Sequence, residues 1–201
     1  MIGQPEQWQV GKIVMRNQRG FTLLELIIVI TIAALLVTMA VPGYQSLIFR
    51  NRMSTAANEL TSALNLARSE AIRRNRAAVM CKSSDGAGCG SAAASWSEGW
   101  LVFVDDDNDQ SLDNTEPVLR VHGAQPDDYA LSLAGNFTDF VVYRSNGRSD
   151  TIGNFTLCKG NTVDNARLIM INRAGRVRLG SDNNGNGIPE DNSGSDIAAC
   201  N

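Results

Sequence analysis

The 201-residue sequence predicts an α+β fold: a long N-terminal helix, its first half transmembrane, packed by its second half against a β-rich C-terminal head. Three observations carry that expectation. Residues 21–41 form one apolar run broken by a single charge, Glu25. Residues 44–76 repeat apolar side chains at helical spacing. From Ala77 onward the pattern shifts to short alternating segments between turns rich in Gly, Asn and Ser.

The apolar run, FTLLELIIVITIAALLVTMAV, is about long enough at ~1.5 Å per residue to cross the ~30 Å hydrocarbon core of a bilayer as a helix. Lys12, Arg16 and Arg19 precede it, which holds the start in the cytoplasm and sends the rest across. A secretory signal peptide is the rival reading. The run exceeds a typical ~7–15-residue apolar region, however, and no A-x-A site closes it. Glu25 is the oddity, because an ionisable side chain in a membrane segment is costly and normally has a partner. A chain cut between Gly20 and Phe21 would expose an α-amino group four residues before that carboxylate. The amine of a neighbouring copy could then neutralise Glu25 in low dielectric, which turns the anchor into an assembly device.

Gly20 to Ile30, G-F-T-L-L-E-L-I-I-V-I, resembles the prepilin processing site of the type IV pilin superfamily. The resemblance implies that prepilin peptidase cuts after Gly20, removing residues 1–20 as a leader, and that Phe21 becomes an N-methylated first residue. It also implies that Glu25 registers the subunit among other pilins in a filament. Pro42 matches a kink site of the family's helices. Residues 21–43 would then be the transmembrane and filament-core half of the helix, 44–76 its amphipathic half, and 77–201 the head of a pilin-like ladle. A single pass through the inner membrane would leave that head in the periplasm, ready for incorporation into a pilus or pseudopilus.

In the second half of the helix, Met53, Ala57, Leu60, Leu64, Ala67 and Ala71 draw one apolar stripe that should pack on the head. Arg68, Arg73, Arg74 and Arg76 end it, read as a solvated face complementing the helix C-terminal dipole. Strands are expected at 77–81, 99–104, 117–122, 130–133, 137–143, 154–158, 167–171 and 176–179. Alternation turns Val177 and Leu179 inward and Arg176 and Arg178 outward. Asn172–Gly175 (NRAG) is the hairpin turn before them.

The net charge of −3 is unevenly spread. Residues 21–80 carry six Arg and three Glu, whereas the head from Cys81 carries nine Lys/Arg against seventeen Asp/Glu. A head this acidic should not bind nucleic acid over its whole surface, so such binding needs a local basic site. The four cysteines, Cys81, Cys89, Cys158 and Cys200, all follow the span, and an even count in an oxidising compartment reads as disulfides. Three pairings exist. Cys81–Cys89, closing a tight Gly/Ser-rich loop, with Cys158–Cys200, clipping the tail, is favoured. Zinc is disfavoured, since there is no CxxC and His122 is the only histidine.

Residues 105–116 read DDDNDQSLDNTE. Asp105, Asp107, Asp109, Asp113 and Glu116 occupy places one, three, five, nine and twelve of an EF-hand-like calcium loop. Gln110 stands where that loop needs glycine, and a strand precedes it. A solvated acidic turn therefore stands slightly ahead of calcium, and no cofactor is otherwise expected. Asp182, Asn184, Asn186 and Glu190 repeat the flavour with less charge.

Arg173, Arg176 and Arg178, with Arg167, form the head's acid-free basic stretch. Strand geometry spaces Arg176 and Arg178 ~6–7 Å apart, close to the phosphate spacing along a DNA strand. Guanidinium groups bind phosphate bidentately, and Gly175 lets the turn approach a backbone. Two exposed arginines on a strand are common, and by themselves they are a weak signal.

The Asn58–Ala71 stretch ending A-R-S-E-A, G-W-L-V-F-x-D at Gly99–Asp105, E-P-V-L-R at Glu116–Arg120 and the terminal G-R-x-R resemble the GspH/FimT group of minor pilins and pseudopilins. In that group, FimT-like members taken to bind DNA in natural transformation carry a C-terminal G-R-x-R. Here the motif is Gly175, Arg176 and Arg178. The resemblance implies a minor type IV pilin that assembles with other pilins and binds double-stranded DNA for uptake. A pilus-priming subunit without DNA binding, or a GspH-like pseudopilin of a type II secretion system, is the alternative. Nothing points to an enzyme: no nucleophile elbow or phosphate loop is present, and the carboxylate spacings fit turns. Trp96, Trp100, Phe103, Phe137, Phe140 and Tyr143 read as core rather than as a stacking platform.

Overall fold

The computed structural model describes residues 20–90, 95–125, 129–136, 139–160 and 162–200. Lys12, Arg16, Arg19 and the rest of the leader up to residue 19 lie outside the described residues, as does Phe137. The chain divides into two compact units, residues 1–45 and 46–201.

Helix α1 spans Leu23–Arg74. Thr22 caps it, its Oγ1 accepting the Glu25 N–H at 3.2 Å. In the first unit the described apolar side chains lie open, from Phe21 at 82% to Met39 at 79% exposure. This part of the helix is long and apolar enough to cross a membrane. α1 runs through residues 42–43 without a break, as one long helix with a transmembrane half and an amphipathic half requires. A proline removes one N–H from the ladder, and the turns on either side still close their own bonds. The helix stops at Arg74, where Asn75 turns left-handed (φ 54°) and the Arg76 N–H reaches back to Ala71 O at 3.2 Å.

In the second unit Met53, Ala57, Leu60, Leu64, Ala67 and Ala71 are all buried, so the apolar stripe of α1 is the face that packs. Strands β1 (Ala77–Lys82), β2 (Trp100–Asp105), β3 (Val118–His122) and β5 (Phe140–Tyr143) form an antiparallel sheet ordered β3-β2-β1-β5. A second antiparallel sheet holds β4 (Tyr129–Gly135), β6 (Gly153–Lys159), β7 (Thr162–Ile171) and β8 (Val177–Leu179), ordered β4-β6-β7-β8. Both sheets meet the helix stripe in one core, where Leu64 and Ala67 join Met80, Trp100, Val102, Tyr143, Phe155 and Ile169.

β1 and β2 are buried along their whole length, which is why AAVMCK and WLVFVD read as continuous apolar runs without alternation. Ala78 and Met80 face the helix, while Val79 and Cys81 face the other way, with Leu101 and Phe103, under a lid that includes Cys89 and Leu112. Trp96, Trp100, Phe103 and Tyr143 are buried and Phe140 packs partly into the second cluster, so these aromatics are core.

Cys81 is bonded to Cys89 and Cys158 to Cys200. The second bridge closes 42 residues, a constraint worth about 4 kcal/mol in the chain-entropy account. It packs the tail with Ala166, Val163 and Ile197.

The inward orientation expected of Leu179 is corrected: it is 48% exposed. β8 is a three-residue strand at the sheet's edge, so only Val177 reaches the core. The strand begins at Val177, and Arg176 belongs to the turn before it.

Candidate functional site

The N-terminal element is the simplest. Gly20, Phe21 and Glu25 are exposed, and Glu25 stands at the third helical position, three residues after the Thr22 cap. T-x-x-E is half of a capping box, so the acid also suits the positive end of the helix dipole. Among the described residues Glu25 has no ion-pair partner.

The basic element is built from two turns. Asn172–Gly175 turns the chain between β7 and β8, with the Gly175 N–H on Asn172 O at 2.8 Å and the Arg176 N–H on Asn172 Oδ1 at 3.1 Å. A second turn follows β5, with the Gly147 N–H on Arg144 O at 2.8 Å. The two meet back to back. A Cβ on Gly175 would sit 2.1 Å from Gly147 O, and both glycines are left-handed (φ 73° and 75°). Arg68 of α1 clamps the pair, its Nε donating to Gly147 O at 2.9 Å and its terminal NH2 to Ala174 O at 3.1 Å. Placing Arg68 on a solvated helix face is therefore corrected. Two backbone carbonyls left over by the turns hold it half-buried.

Arg176 and Arg178 line one shallow depression of about 470 Å³, with Asn65, Arg68 and Asn172. Arg173 lies on the other flank with Arg144 and Arg148, in a depression of about 450 Å³. The structure thus separates Arg173 from Arg176 and Arg178, and sets Arg148 beside the first and Arg68 beside the other two. Arg144 is ion-paired with Asp150. Among the described residues Arg148, Arg173, Arg176 and Arg178 have no such partner. Arg167 stands apart, with its guanidinium on Ser54 Oγ at 3.3 Å and on the carbonyls of Asn165 and Ala166. At the helix end, hydrogen bonds from Arg73, then Arg74, hold the Glu70 carboxyl down at about 2, and Arg76 faces Asp106. Residues 181–199 run beside β7, with the Asn165 N–H on Gly187 O and the Gly180 N–H on Leu168 O, and leave Arg176 and Arg178 exposed.

The acidic turn between β2 and β3 gathers Asp105, Asp107 and Asp109, with one oxygen from each within 4.8 Å of the others. Asp113 and Glu116 do not join them. Glu116 instead accepts the N–H groups of Asp106 (2.7 Å) and Asp113 (3.0 Å), which ties the turn's ends. Gln110 takes the left-handed conformation (φ 66°) that the sequence pattern assigns to glycine. Burial pushes the Asp105 carboxyl up, opposed by the backbone N–H groups of Asn108 and Gln110. In the second acidic stretch Asp182 is spent on the N–H groups of Gly185, Asn186 and Gly187. Asn183 bonds Glu190, and Asn184 and Asn186 both bond Asp196. His122 is engaged by Glu59 Oε2 at 3.0 Å and stacks on Trp100.

Sequence reasoning missed Arg148 and the clamp role of Arg68. One local signal was present: Gly147-Arg148 repeats the Gly-Arg pair of Gly175-Arg176. That the two pairs touch follows from sheet topology, which no local pattern encodes.

Residues 15–41 match the prokaryotic N-terminal methylation motif, and residues 56–175 match the family model described as type II transport protein GspH. The chain is 30% identical over 171 residues to pilin-like protein PilA1 of Thermus thermophilus, covering 81% of this chain and 99% of that protein. It is 40% identical over 65 residues to a fimbrial protein of Pseudomonas aeruginosa, covering 32% of this chain and 42% of that protein. The crystal structure of the type IV minor pilin FimU from Pseudomonas aeruginosa superimposes with a TM-score of 0.52 at 25% identity, over 66% of this chain and 90% of that one. A methylation motif on an uncovered apolar helix, followed by this two-sheet head, has one reading: the chain belongs to the GspH family of type IV minor pilins and pseudopilins.

Proposed function

We infer that this chain is a minor pilin cut by prepilin peptidase after Gly20 and methylated at Phe21. It sits in the inner membrane with its head in the periplasm until it joins other pilins in a filament. There its head captures double-stranded DNA through Arg176 and Arg178, with Arg148 and Arg173 on the adjoining flank. The observation that carries the DNA reading is the set of arginines without ion-pair partners on two touching Gly-Arg turns. In a head with a large acidic excess, they are a cluster of cations free of any ion pair among the described residues and so able to meet phosphate. Its role is structural and binding, not enzymatic.

Duplex binding by the full chain in detergent micelles, measured across a salt series, tests this. Arg176→Ala with Arg178→Ala should weaken binding about tenfold or more and reduce the slope of log K against log salt by about 2. Wild-type affinity in that double variant would remove the assignment and leave a pilus-priming subunit. The family model's description, type II transport protein, favours a second reading as a secretion pseudopilin. In that case the basic face would meet a neighbouring subunit.

A further inference from the structure

Asp105 closes β2 and is 1% exposed. Its Oδ2 accepts the Gln110 N–H at 3.3 Å. Its Oδ1 is cut off from water and, among the described residues, has no hydrogen-bond partner. A buried carboxylate oxygen left unpaired is costly, and such groups are normally paired or coordinate a metal. The neighbouring cations do not supply the missing partner. Arg76 Nε lies 3.7 Å from Asp106 Oδ1, and Arg144 donates to Asn108 Oδ1 at 2.9 Å. The Asp105 carboxylate instead shares a cluster with more negative charge, Asp107 and Asp109, both exposed, one oxygen from each of the three lying within 4.8 Å of the others.

We propose that this turn binds one calcium ion, coordinated by the carboxylates of Asp105, Asp107 and Asp109. Oxygens each about 2.4 Å from a shared calcium ion lie at most about 4.8 Å apart, the limit within which these three fall. The donors are all hard oxygens on an adaptable turn, which suits calcium. Zinc prefers nitrogen and sulfur, and magnesium demands a tighter octahedron and keeps its waters. Glu116, fastened to the N–H groups at both ends of the turn, shapes the loop around the ion. The turn also carries Leu112 onto the outer cluster of Val79, Phe103 and Val142, so a bound ion would hold down the lid of that face.

The test is calorimetric titration of calcium chloride into chelator-stripped full chain in micelles, with thermal melting followed by tryptophan fluorescence. One ion per chain is expected, with a dissociation constant in the range of roughly 0.1–1 mM typical of extracellular sites, and a raised melting temperature. Asp107→Asn with Asp109→Asn changes exposed side chains only, and should weaken binding about tenfold or more and abolish the melting shift. The proposal is overturned by no binding at about 10 mM calcium, or by equal affinity in the double variant. An equal melting shift from magnesium at the same concentration, or loss of binding only in Asp182→Asn, would overturn it as well.

Discussion

A chain carrying Glu25→Ala will enter the membrane at the normal level and be missing from sheared filaments. The apolar run from Phe21 is untouched by the change, so the anchoring free energy stays in place. What is lost is a charge that, on the proposed reading, assembly answers. In low dielectric a carboxylate without a partner is strongly disfavoured, whereas one facing an ammonium group recovers most of that cost. On the proposed reading the pairing would act as a registration device, because subunits that slip along one another would leave both charges unanswered. The substitution should lower incorporation by about tenfold or more, since even ~1.4 kcal/mol per contact is a tenfold effect. The Thr22 cap suggests a rival cause, because Glu25 also favours the helix start. Glu25→Gln separates the two, as glutamine keeps the capping geometry and removes the charge. Immunoblots of membrane and filament fractions should show both variants retained in the first and depleted in the second. Normal incorporation of the glutamine variant would assign Glu25 to capping alone.

Gly175→Ala will destabilise the head by about 2–4 kcal/mol, the sum of left-handed strain and overpacking against backbone. The added methyl would stand 2.1 Å from Gly147 O, an atom of the chain itself that Arg68 holds in place. Neither turn can retreat without releasing that arginine. Gly194→Ala is the matched control: its φ of 79° is as left-handed, but nothing lies within 4 Å of the new methyl. It should cost only about 1 kcal/mol. Thermal and denaturant melting of both variants in micelles checks the difference. Equal stability of the two would contradict the back-to-back packing of the turns. Loss of DNA binding in a Gly175 variant would report this packing, so the arginine substitutions are the discriminating ones.

These glycines also mark where sequence reasoning ran out. The helix stripe from Met53 to Ala71, the strands and the Cys81–Cys89 bridge were legible because each rests on local periodicity or short loop closure, and with that pair formed only Cys158 and Cys200 were left to bond. Arg176 and Arg178 were legible as exposed cations for the same reason. The role of Arg68 was not, because its partners lie 79 and 106 residues away and are backbone carbonyls, which carry no sequence identity. Arg148 was hidden likewise, since its place beside Arg173 depends on how one sheet's turn meets the other's. Leu179 misled because alternation assigns a face without saying whether a short edge strand has anything to cover it. Conversely, Gln110 weakened the calcium reading at the sequence level, yet its backbone adopts the conformation that the loop needs.

On the proposed reading, cutting after Gly20 creates the amino group that Glu25 answers in a filament. Intact-mass analysis of this chain from sheared filaments tests it most directly. A mature chain beginning at N-methylated Phe21 is expected. A filament-borne chain still carrying residues 1–20, or a mature chain found only outside filaments, would contradict it.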